Sequence, residues 1–78
     1  MDWKSVTIPN GSRLFKVHNF TFMYKGTTFL LEVDEFRDGT FSGHGENSTD
    51  RSSVVESVSG KTLKECLDAL IVKVEGRS

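Results

Sequence analysis

Few side chains in this sequence are equipped for chemistry. The two histidines are His18 and His44. His44 lies in Gly43-His44-Gly45-Glu46, where the flanking glycines would expose the ring and let a ligand approach the backbone. Together with Glu46 and Asp50 it could form a metal site. Structural zinc sites, however, want four nitrogen or sulfur ligands, and catalytic ones usually use more than one histidine. The sequence has no H-x-x-x-H, H-E-x-x-H or C-x-x-C spacing. No metal and no cofactor is therefore expected, and His44 stands as a candidate ligand-binding residue. The plainer reading of the glycines is a bend or β-bulge in a strand.

The remaining chemical groups are a lone thiol and a set of acids. Cys66 falls among apolar residues at helical spacing, so it reads as a small buried hydrophobe. Glu32 and Asp34 share one face of a strand, and Glu35 points to the other. Exposed acids of this kind solvate a surface or steer a charged partner more often than they form a catalytic pair. Gly60-Lys61-Thr62 resembles the end of a phosphate loop, but the position that should hold the first glycine is Val55, so the motif fails. No catalytic constellation emerges, and a non-enzymatic protein is expected.

Charge is unevenly distributed. The net formal charge is −1. Residues 1–31 carry Lys4, Arg13, Lys16 and Lys25 against Asp2. Residues 32–50 carry Glu32, Asp34, Glu35, Asp38, Glu46 and Asp50 against Arg37, a net of −5. Residues 51–78 are near neutral. The middle third is thus an acidic band, and Glu32, Asp34, Glu35, Asp38 and Glu46 are the candidate contacts for a basic protein partner. Strand aromatics and the basic first third leave room for a nucleic-acid-binding reading, which the missing overall positive charge disfavours.

The elements that must position these groups follow from periodicity. Phe20, Phe22 and Tyr24 alternate with Thr21, Met23 and Lys25, as in a strand with one buried face. Lys25-Gly26 turns the chain into a second strand over residues 27–36, where Phe29, Leu31 and Val33 alternate with Leu30, Glu32 and Asp34. Arg37-Asp38-Gly39 is a hairpin turn, and a third strand runs from Thr40 to about Glu46. The polar stretch at 47–53 reads as a loop, and Val54 to Val58 as a fourth strand. Thr62-Leu63-Lys64-Glu65 matches a helix capping box, followed by a stripe of Leu63, Cys66, Leu67, Leu70, Ile71 and Val74. Gly76 is placed to end that helix. In residues 1–16, Val6 and Ile8 alternate with polar residues before the Pro9-Asn10-Gly11 turn, which predicts a strand or hairpin returning through Arg13–Lys16.

The expected fold is α+β: an antiparallel meander of three to five strands packed against one C-terminal amphipathic helix. It forms a single domain over 1–78, with an N-terminal strand or hairpin at 1–16, the sheet at 17–58 and the helix at 62–75. At 78 residues it buries only about 60–65% of its unfolded surface, so stability is marginal and self-association through an edge strand would help. One cysteine permits no intrachain disulfide. The sequence shows neither a signal peptide nor a run long enough for a membrane helix, and a cytoplasmic location is expected.

The segment Val58-Ser59-Gly60-Lys61-Thr62-Leu63-Lys64-Glu65-Cys66-Leu67, following three or four strands, resembles the HicB-like antitoxin domain. Gly60, Thr62 and Glu65 match that family's glycine, threonine and glutamate spacing at the junction into the helix. The family's usual Pro-Asp-Leu-Pro-Gly segment is replaced here by residues 40–50. The resemblance implies a partial double-stranded-RNA-binding-type fold and the role of covering a small basic ribonuclease toxin. The sequence therefore predicts a small non-catalytic protein-binding module of antitoxin-like type, using an acidic sheet surface and an edge strand, possible also as a homodimer. The alternatives are a small RNA- or DNA-binding domain and a mobile-element protein that binds a small ligand.

Overall fold

The computed structural model describes residues 2–50 and 52–76. After a single 3-10 turn at Trp3–Ser5 come four strands, β1 (Lys16–Tyr24), β2 (Thr27–Glu35), β3 (Phe41–Asn47) and β4 (Val54–Gly60), and then helix α1 (Leu63–Gly76). The strands form one antiparallel sheet in the order β1-β2-β3-β4. This is the expected α+β meander closed by a C-terminal helix.

Turn chemistry sets the registers. Lys25 and Gly26 have φ of 49° and 78°, the pair of positive angles that a two-residue type I′ hairpin requires. Tyr24 is thereby fixed opposite Thr27, Phe22 opposite Phe29 and Phe20 opposite Leu31. At the next turn Gly39 has φ of 91°, the Gly39 N–H donates to the Phe36 carbonyl, and the Phe36 N–H donates to the Thr40 carbonyl. That three-residue loop sets Glu35 opposite Phe41, Glu32 opposite His44 and Leu30 opposite Glu46.

The last strand pair is irregular. Gly43 faces Val58, whereas Gly45 faces Val55, so β4 holds one more residue than β3 between these pairs. The bulge turns both Val55 and Val58 toward the helix although they are three residues apart. Beyond Asn47 the chain is turned by side-chain acceptors: Asn47 Oδ1 accepts from the Thr49 N–H and Asp50 Oδ1 from the Ser52 N–H.

The core is small and lies between α1 and one face of the sheet. Phe29, Leu31, Val33, Val55, Cys66, Leu70 and Val74 are buried, with Phe20, Phe22, Tyr24, Phe41, Val58, Leu63, Leu67 and Ile71 packed around them. Every apolar position of the helical stripe takes part. The helix starts where the sequence places it, with Thr62 Oγ1 accepting from the Glu65 N–H at 3.0 Å. It packs mainly on β4 and β3, less on β2, and hardly reaches β1.

The N-terminal expectation is corrected. No strand forms between Val6 and Phe15; those residues are an irregular arm. The Pro9 turn does form, with Gly11 at φ 81° and the Ser12 N–H on the Pro9 carbonyl, but its flanks do not pair. The carbonyls that a strand would use are taken by a side chain. Arg37 donates to the Lys4 carbonyl through Nε at 3.0 Å and Nη2 at 2.6 Å, and to the Val6 carbonyl at 2.7 Å. Phe15 meets Phe36 with ring centroids 5.6 Å apart, and the Arg13 guanidinium lies over both rings. A guanidinium and an aromatic pair hold this arm, not a β-ladder.

Candidate functional site

The open face of the sheet, opposite α1, is built by the alternate residues of each strand. β1 contributes Val17, Asn19, Thr21 and Met23, and β2 contributes Thr28, Leu30, Glu32 and Asp34. β3 contributes Ser42, His44 and Glu46. A hollow of about 450 Å³ lies here, lined by Asn19, Thr21, Leu30, Glu32, His44 and Glu46 among others.

His44 reaches this face for a packing reason. A Cβ on Gly43 would lie 2.9 Å from both Cys66 Sγ and Leu70 Cδ1, and a Cβ on Gly45 would lie 2.7 Å from Leu31 Cδ2. The two glycines are what let the core close against the backbone of β3. Strand alternation then throws the residue between them, His44, to the opposite side. Its Nε2 is 3.3 Å from Glu32 Oε2, and side-chain donor atoms of Glu32, Asp34 and His44 all lie within 4.8 Å of one another.

The electrostatics of this trio are unbalanced. Asp34 Oδ1 is buried and meets no hydrogen-bond donor among the described residues. Its neighbour Glu32 is another carboxylate, and the two can share a hydrogen bond only when one carries a proton. That bond to Asp34, reinforced by burial and by the Asp34 charge, raises the Glu32 pKa above the ordinary carboxylate value, with His44 opposing.

The other predicted contacts are placed elsewhere. Glu35 points to the helix side of the sheet, where Lys4 Nζ lies 3.0 Å and His18 Nε2 2.9 Å from its carboxylate. The His18 hydrogen bond, and then that of Lys4, lower its pKa. Asp38 sits in the β2–β3 turn, where its Oδ1 accepts from the Thr40 hydroxyl at 2.6 Å and the Thr40 N–H at 3.0 Å. The hydroxyl bond and then the amide bond hold its pKa below normal. The structure thus brings Glu32, Asp34 and Glu46 to one face and sends Glu35 and Asp38 to other places. Asp50, grouped with His44 and Glu46 in the sequence, lies in the loop after β3, outside the trio.

Cys66 is fully enclosed between the helix and β3, and desolvation, helped by the nearby Asp34 and Glu65 charges, raises its thiol pKa. It is a packing residue, inert as a nucleophile. The Gly60-Lys61-Thr62 junction is equally structural: a Cβ on Gly60 would come within 3.2 Å of the Cys66 backbone nitrogen.

The partnership of His44 with Glu32 and Asp34 escaped the sequence reading, although the signal was present. A three-residue loop centred on Asp38 pairs residues symmetrically about it, and Glu32 and His44 are equidistant from that centre.

A second feature lies at the sheet edge. β1 is an edge strand of nine residues paired on one side only. Its aromatic row, Phe20, Phe22 and Tyr24, faces the helix side yet stays only half-buried, because α1 is displaced toward β4. Phe22 and Tyr24 stack with centroids 5.7 Å apart.

Among the described residues, no helix is long and apolar enough to cross a membrane. Comparison with protein families, curated proteins and solved structures finds no match to this chain.

Proposed function

We propose that this chain is a non-catalytic protein-binding module that receives a partner along its free edge strand β1. The observation that carries the reading is the off-centre helix. It covers β3 and β4, leaves the aromatic row of β1 only partly buried, and leaves the outer side of β1 without a neighbouring strand among the described residues. An edge of this length with an incompletely covered apolar row invites β-strand addition, with ladder hydrogen bonds supplying affinity and the aromatic row supplying contact area. A second copy of the chain can use the same edge. Glu32, Asp34 and Glu46 give the neighbouring open face an acidic character that suits a basic partner. The resemblance to HicB-like antitoxin domains supplies one instance of such a partner, a small basic ribonuclease toxin.

The test is affinity capture from the source lysate with wild-type protein and the Phe22→Lys variant, beside light scattering of each over a range of concentrations. A charge in the aromatic row is a known way of blocking an edge. The reading predicts a captured protein, or a dimer, that the variant loses while keeping its fold. Identical capture by both proteins would sink it, as would a strictly monomeric chain that captures nothing.

A further inference from the structure

We propose that Glu32, Asp34 and His44 form a binding site for a divalent transition-metal ion on the open face of the sheet. The donor set is one imidazole nitrogen and two carboxylates, drawn from adjacent strands and brought together by the β2–β3 register. Three protein ligands with an open position is the arrangement of zinc sites that also take water or a ligand, although this set has one histidine and two carboxylates where most such sites have two or more histidines.

The geometry suits such an ion. Zinc bonds to nitrogen and oxygen of about 2.0–2.2 Å place neighbouring tetrahedral ligands about 3.3–3.6 Å apart. His44 Nε2 and Glu32 Oε2 are 3.3 Å apart, which already matches one edge of that tetrahedron. All three donors lie within 4.8 Å, so small side-chain rotations close the remaining edges.

An independent observation points to a missing positive charge. Among the described residues Asp34 Oδ1 is buried without a donor, beside a second carboxylate. A buried carboxylate oxygen left uncompensated is costly, and a divalent cation would compensate both carboxylates at once. A proton shared between Glu32 and Asp34 is the competing occupant, with His44 then paired only to Glu32. Access is open at Glu32 and His44, which line the hollow on the face that α1 does not cover, while Asp34 is outside that lining. The donors also sit on strand backbone that is held in place, because Gly43 and Gly45 are packed against the core on either side of His44.

The inference does not depend on the edge-strand reading and is tested separately. Zinc chloride is titrated into chelator-treated wild-type protein by calorimetry at neutral pH, with histidine ring signals followed by NMR. One saturable site per chain is expected, with the His44 ring signals shifting and those of His18 staying in place. His44→Ala and Asp34→Asn should each weaken zinc binding by about 10-fold or more. Both variants should fold, since His44 is exposed and Asp34→Asn removes a like charge. His18→Ala should bind zinc as the wild type does. The inference is overturned if no saturable binding occurs, if affinity survives His44→Ala, or if His18 is the ring that responds. Asp34→Asn that raises stability without changing zinc affinity would assign the buried oxygen to a shared proton and would equally overturn it.

Discussion

The two faces of this sheet are made from the same four strands and do opposite things. The helix-covered face carries Phe29, Leu31, Val33 and Val55, and places glycine where α1 and the core need room. The open face carries Glu32, His44 and Glu46 around a hollow and Asp34 on the same face, with Val17, Met23 and Val54 exposed as single apolar residues. One face has been fitted to a known occupant, the helix. The other keeps charged groups clustered, and Asp34 Oδ1 finds no donor among the described residues. In a small domain, a buried carboxylate oxygen without a donor is a cost to stability.

The contrast is broken or sharpened most strongly by truncating a large side chain on each side. Leu70 is fully buried, whereas Met23 is 76% exposed. Leu70→Ala should cost about 2–5 kcal/mol of unfolding free energy, and Met23→Ala should fall within about 0.5 kcal/mol. Denaturant titration of both variants decides it, and similar losses would mean that the helix does not define the core.

A smaller effect is expected where the helix meets β3. Gly43→Ala introduces a Cβ 2.9 Å from Cys66 Sγ and should destabilise by about 1–3 kcal/mol. Adding Cys66→Ala to Gly43→Ala should cost less than the sum of the two single changes, because the thiol is one of the atoms in the way. Additive losses in that double-mutant cycle would show that the close approach is not what selects glycine.

The smallest effect concerns Glu35, which lies on the helix side but is covered by the N-terminal arm. Its folded pKa is lowered by His18 and Lys4 from the ordinary value of 4.5. The linked stability is therefore present above that value and is lost as pH falls through the folded pKa. Melting temperatures measured from neutral pH down to about pH 3 should fall more steeply for wild type than for Glu35→Gln. Parallel curves would remove the ion pairs from any account of how the arm is held.

Much of the fold was legible because it rests on local rules. Asp38-Gly39 and Lys25-Gly26 permit tight turns, period-2 runs on either side make strands, and Thr62 with its apolar stripe makes the helix. The N-terminal arm was misread for the opposite reason. Its alternation at Val6 and Ile8 is genuine, but Arg37, distant in sequence, competes for its carbonyls. Of the candidate site, His44, Glu32 and Asp34 were each visible as residue types, yet they were not seen as one group. Their meeting depends on a register shared by two strands. The alternation that divides Glu32 and Asp34 from Glu35 was legible, but the meeting of Glu32 and Asp34 with His44 and Glu46 on one face needs the β2–β3 register.

The sequence by itself determined the element types, the turn positions, the meander and the helical stripe, because these follow from interactions between residues close along the chain. Tertiary structure alone decided which sheet face the helix covers, how far it is displaced from β1, and where His44 points. Those outcomes depend on packing between distant segments: the close approach of Cys66 and Leu70 to glycine on β3, and the β4 bulge that turns both Val55 and Val58 inward.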